Sequence, residues 1–125
     1  MVLADSSAWI LAGADLASFG DPKPLVVTCP PVVQEVLQGS DRPHDYSKWR
    51  EVLLGCPMLD APVPFERYEE AARLYLRCRD AGFTIRKPAD CLIAACALAH
   101  GAAVIHNDRD FDYIAKVTGL RVQRL

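Results

Sequence analysis

The stretch RKPADCLIAACALAHGAAVIHNDRDFDYIA, residues 86–115, decides the fold. From Asp90 to His100 it is apolar on nearly every side and stops at Gly101, so it reads as a helix buried in the body of a domain. The next residues, AAVIH, predict a strand that ends in the turn NDRD, and FDYIAKVTG has the spacing of a short helix. Helix, strand and helix in such quick succession is the rhythm of an α/β protein.

The flanks continue that rhythm. Upstream, Pro64 to Ala81 is the clearest helix in the chain, opened by Pro64 and stopped by Gly82. The start, MVLAD followed by SSAWILA, reads as a strand passing into a helix. A loop over Gly13 to Pro24 leads to the apolar stretch LVVTCPP, where Pro30 and Pro31 suit the first turn of a helix, PPVVQEVLQG, ended by Gly39. The polar loop GSDRPHD then introduces an amphipathic segment around YSKWREVLLG. CPMLDAPV predicts a further strand and LRVQRL a last one. Strands alternating with helices imply an α/β domain with a mainly parallel sheet and helices on both faces. In such sheets ligands bind at the carboxyl ends of the strands, which is where Asp5 and Asp108 fall, with Asp90 at the start of the buried helix.

A chain of 125 residues can bury one contiguous core, so a single domain over 1–125 is expected. Its hydrophobic (51%) and charged (24%) fractions are those of an ordinary globular protein, and no run approaches the ~20 apolar residues of a membrane helix. The five cysteines are odd in number and form no C-x-x-C pair, which argues against a disulfide framework or zinc ribbon. With a carboxylate at Asp5 where a secretory signal carries positive charge, a cytoplasmic location is expected. His44, His100 and His106 lack ligand spacing and receive no role. A net charge of −2 excludes a protein that coats nucleic acid by bulk positive charge, so any polyanion must be held locally, for example by a cation in an acidic pocket.

Taken singly, each acid has an ordinary explanation. Asp5, Asp90 and Asp110 are suited to capping helices, Asp108 to a turn, and Glu35 to a solvated helix face. Their coincidence carries more weight. Several carboxylates at one sheet edge repel one another, and a hard cation such as Mg²⁺ or Mn²⁺ relieves the repulsion while serving phosphodiester hydrolysis. Ser7 is placed to hydrogen-bond a carboxylate or to cap the same helix. In the basic stretch Arg73, Arg77, Arg79, Arg86 and Lys87, the first two suit an exposed helix face, and Arg86 is the better candidate for an RNA backbone contact. Two other readings stay open on the residues alone. One is a phosphotransfer enzyme with Asp5 as nucleophile, weakened because Ser7 stands where a second aspartate is usual. The other is a non-catalytic module whose acids only cap helices.

The N-terminal strand closing in D-S-S, a helical glutamate some thirty residues on, and the 86–115 block resemble the PIN domain, in particular the VapC toxins of bacterial toxin-antitoxin pairs. The resemblance spans nearly the whole chain and is most specific from Asp90 through Ala115. It implies a three-layer α/β/α fold and a Mg²⁺- or Mn²⁺-dependent endoribonuclease acting on RNA. It also implies a homodimer, and inhibition by a cognate VapB-type antitoxin whose tail covers the active site. The family's acids fall on Asp5, Glu35, Asp90 and Asp108, with Asp110 as an additional acid of the metal set and Ser7 as the small hydroxyl residue of the first motif. Spacing is not fixed between Gly13 and Pro31, so Glu51 is the alternative to Glu35.

Overall fold

The computed structural model describes residues 1–125. Four short strands, β1 (Val2–Ala4), β2 (Val26–Val27), β3 (Ala103–His106) and β4 (Val122–Arg124), form one all-parallel sheet in the order β2-β1-β3-β4. Leu3 lies between Val27 and Val104, and Ala4 faces Ile105. Apart from His106 at the end of β3, these central strands are apolar because helices cover both faces of a parallel sheet, and Leu3, Ala4, Val104 and Ile105 are fully buried.

Six helices complete the chain: α1 (Ser6–Ala12), α2 (Pro30–Gln38), α3 (Pro43–Leu54), α4 (Phe65–Asp80), α5 (Pro88–His100) and α6 (Arg109–Val117). The chain crosses from β1 through α1 to β2 on one side, then returns past β1 to β3 and through α6 to β4 on the other. Right-handed crossovers running in opposite directions place α1 and α6 on opposite faces. Accordingly α2 packs on α1 and α3, whereas α4, α5 and α6 pack on one another. The reversal of direction falls between β1 and β3, so the crevice beyond their carboxyl ends is the topological switch point.

One cluster of 27 buried residues forms the core. Its largest member, Trp9, meets Phe19 and Trp49 edge-on at 5.1 and 6.2 Å between ring centroids. Helix α5 buries Cys91, Ile93, Ala94, Ala95, Cys96 and Ala97, and these small side chains let it lie close to both α4 and β3. All five cysteines are free. No helix is long and apolar enough to cross a membrane.

Two expectations are corrected. CPMLDAPV forms no strand, only an isolated bridge between Thr28 and Met58, because Pro57, Pro62 and Pro64 have no N–H to give a ladder. The amphipathic segment starts earlier than expected, at Pro43, whose fixed φ suits the first helical position.

Gly101 ends α5 with φ at 68°, and nothing lies within 4 Å of where a Cβ would stand, so only backbone strain opposes a side chain there. We expect Gly101→Ala to lower stability by about 1 kcal/mol in urea unfolding, with folding otherwise intact.

Candidate active site

The carboxyl ends of β1 and β3 deliver the first two acids. Asp5 follows β1 and caps α1, its Oδ1 accepting from the Ala8 N–H at 2.9 Å. Asp108 follows β3 and caps α6, its Oδ1 accepting from the Asp110 N–H at 3.0 Å. Ser7 ties the two strand ends together: its hydroxyl donates to Asp5 at 2.7 Å and accepts the Asn107 N–H at 2.9 Å.

Asp90 and Asp110 are not the helix caps that residue type alone suggests. Lys87 holds the N-cap position of α5, and Asp90 sits inside the first turn, 2% exposed, with Oδ2 lacking any hydrogen-bond partner. Asp110 lies inside α6, where it accepts the backbone N–H groups of Arg86 (3.2 Å) and Lys87 (3.1 Å) and thereby ties the segment leading into α5 to α6. Its Oδ1 is buried and without a partner. Asp90, Asp108 and Asp110 each bring a carboxylate oxygen to within 4.8 Å of the other two.

Asp5 and Glu35 stand outside that tight trio but act on it. Burial first, and then the negative charges of Asp108, Glu35, Asp5 and Asp110, push the Asp90 carboxyl up to about 8. Burial likewise raises Asp5, although Ser7 and the Ala8 N–H oppose it. Glu35 is raised by burial and by Asp5 and Asp108, with Lys87 opposing, and its Oε1 is buried without a partner. At Asp108 the effect of burial is outweighed by the Asp110 N–H and by Lys87, and the carboxyl titrates below its ordinary range. Glu51 is exposed on α3 and is not among the charges acting on Asp90. The helical acid facing the cluster is therefore Glu35.

Two further neighbours of the acids, Lys87 and His106, are not marked by motif spacing. Lys87 places Nζ 3.1 Å from Asp108 Oδ2, and its position three residues before Asp90, one helical turn away, was the available signal. Arg86, preferred on sequence, donates its backbone N–H to Asp110 Oδ2 while its side chain is exposed. His106 is fully buried beneath the site; Nδ1 accepts the Asp108 N–H at 3.1 Å, so the neutral ring carries its proton on Nε2. Nε2 is 3.2 Å from Asp112 Oδ1 but off-axis for a hydrogen bond. A cleft of about 370 Å³ lined by Gln34, Glu35, Gln38, Tyr68, Ala89 and Leu92 lies beside the cluster and shares Glu35 with it.

An all-parallel, doubly wound sheet with carboxylates gathered at its switch point defines an α/β protein built around an acidic pocket. The chain belongs to the PIN domain family, whose model matches residues 2–117. It is 32% identical over 130 residues to a VapC ribonuclease of Mycobacterium bovis and, equally, to the ribonuclease VapC11 of Mycobacterium tuberculosis, covering 97% of this chain and 96% of each relative. Its fold is similar to VapBC-5 from Mycobacterium tuberculosis (TM-score 0.70, 22% identity, 99% of this chain and 98% of that one). It is also similar to VapBC2 from Rickettsia felis (TM-score 0.73, 15% identity, 100% and 99%).

In the metal-free protein the native Asp90 carboxyl keeps its proton up to about pH 8, whereas the unfolded one releases it near 3.8. The native state thus binds more protons between those values, and this group's contribution to stability falls as pH rises across that window. Asp108, held low, works in the opposite sense and loses its contribution in acid. His106, held low by burial, makes stability rise with pH, so the contribution of Asp90 is read as a difference: in chelator the parent should lose urea stability relative to Asp90→Asn from pH 5 to 8. A parent that gains stability relative to Asp90→Asn over this range would contradict the assignment.

Proposed function

We propose that this protein is the toxin of a toxin-antitoxin pair, an endoribonuclease that hydrolyses RNA phosphodiesters with a divalent metal held by its carboxylate cluster. The observation that carries this reading is the trio Asp90, Asp108 and Asp110, with oxygens within 4.8 Å of one another and buried, unpartnered oxygens on Asp90 and Asp110. Buried carboxylate oxygens without donors are costly unless a cation takes them, and hard oxygen donors suit Mg²⁺ or Mn²⁺. The relatives named as ribonucleases support the substrate class.

Asp90, Asp108 and Asp110 would hold the ion, with Asp5 contributing its charge at the edge of the set. When bound, such an ion neutralises charge on a phosphate and lowers the pKa of a nearby water. Ser7 keeps both Asp5 oxygens oriented, and His106 fixes the backbone from which Asp108 projects. Glu35, with an unpartnered Oε1 and a raised pKa, accepts the proton that the attacking water gives up. Arg86, exposed and close enough for its charge to be felt at Asp108, binds the RNA backbone through its guanidinium.

Structural neighbours solved as VapBC complexes support a VapB-type antitoxin as partner. The exposed Phe65, Tyr68 and Leu76 leave α4 with apolar surface for assembly, in keeping with a homodimer. Five free cysteines fit the reducing cytoplasm.

RNA should be cleaved in Mg²⁺ or Mn²⁺ and left intact in chelator. Asp90→Asn, Asp108→Asn and Glu35→Gln should each cut the rate by roughly 100-fold or more, and Glu51→Gln should leave it unchanged. Cleavage that survives chelation, or an Asp108→Asn protein as active as the parent, would overturn the assignment.

A further inference from the structure

Of the unpartnered and charged groups in the molecule, one sits in the pocket with a sign opposite to its surroundings. Lys87 places its ammonium 3.1 Å from Asp108 Oδ2, with the lysine side chain 53% exposed and the aspartate side chain 8% exposed. The other Asp108 oxygen, Oδ1, already accepts the Asp110 N–H at the start of α6. Oδ2 is therefore the Asp108 oxygen free of backbone donors, and the ammonium lies on it. Asp90 and Glu35 also attract this ammonium, so it stands over the shared pocket and not on a separate surface pair. The backbone of Lys87 is held independently, its N–H donating to Asp110 at 3.1 Å, which leaves the side chain free to swing about a fixed anchor.

We propose that Lys87 is a tethered cation that competes with the divalent ion for Asp108 Oδ2 and, once displaced, contacts a phosphate of the bound RNA. This rests on reading the pocket as a metal-dependent ribonuclease site. The physical reason is charge: an ammonium and a divalent ion on one carboxylate oxygen repel at short range, and the ion, bound by several oxygens, prevails. Before metal binds, the lysine neutralises part of the repulsion among Asp90, Asp108 and Glu35. Afterwards its half-exposed, flexible stem carries a positive charge to the pocket mouth, where a phosphate approaches. An ordinary supporting ion pair makes the opposite prediction. If Lys87 merely oriented Asp108, removing it would loosen a ligand and weaken metal binding.

The test is titration calorimetry of the full chain with Mn²⁺ in the absence of RNA, comparing the parent, Lys87→Gln and Lys87→Arg. We expect Lys87→Gln to bind Mn²⁺ about tenfold more tightly and Lys87→Arg to resemble the parent. In cleavage assays across a salt series, Lys87→Gln should raise KM and flatten the dependence of log KM on log salt by about one unit, the signature of one lost phosphate contact. Far-ultraviolet circular dichroism and thermal melting confirm that each variant is folded. Equal or weaker Mn²⁺ binding by Lys87→Gln, or an unchanged salt slope, overturns this proposal alone. Absence of Mn²⁺ binding in the parent overturns the metal reading, and this proposal with it.

Discussion

Five carboxylates, Asp5, Glu35, Asp90, Asp108 and Asp110, converge beyond the carboxyl ends of β1 and β3, and their mutual repulsion in a poorly hydrated crevice is the constraint around which the rest of the structure is arranged. Like charges brought together and buried are unfavourable twice over, through Coulomb energy and through lost hydration. Something must offset both, and the protein does so with the amino ends of its helices.

Asp5 caps α1, Asp108 caps α6, and Asp110 accepts the Arg86 and Lys87 N–H groups in the segment just before α5. Two helix N-termini, those of α1 and α6, therefore give otherwise unsatisfied N–H groups, and the positive ends of their dipoles, to acids of the site. Asp5 and Asp108 are the caps that their residue type suggests, and the N–H groups they accept oppose the effect of burial on their carboxyls. Structural and functional explanations of these residues are one explanation. Where capping stops, strain on ionisation remains: Asp90, inside the first turn of α5, has no backbone donor on Oδ2 and is driven to about 8. Lys87 supplies the nearby positive charge, and His106 holds the Asp108 backbone from below.

The same logic explains the packing of α5. Asp90 can sit at the switch point only if the helix that carries it runs through the body of the domain. That requires small apolar residues, Ala94, Ala95, Cys96 and Ala97, where α5 approaches its neighbours. The doubly wound order β2-β1-β3-β4 then opens a crevice between β1 and β3 that no single crossover would provide.

Much of this was legible in the chain itself. The buried helix before Gly101, the strands MVLA and AVIH, and the long helix after Pro64 follow from periodicity and from glycine and proline stops, because those signals act within a few residues. Asp5, Asp90 and Asp108 were placed by the same local reasoning, since their positions at strand and helix ends are local facts. What only the tertiary structure decided is every relation across the sheet. The nearness of Glu35 to Asp90 and Asp108, the hold of Asp110 on the segment before α5, the burial of His106 under Asp108 and the lysine over Asp108 Oδ2 depend on which helix face meets which strand end. Sequence spacing does not encode that meeting. The loop after Pro57 was misread as a strand for a related reason, because an apolar run shows propensity but not whether its backbone can donate to a ladder.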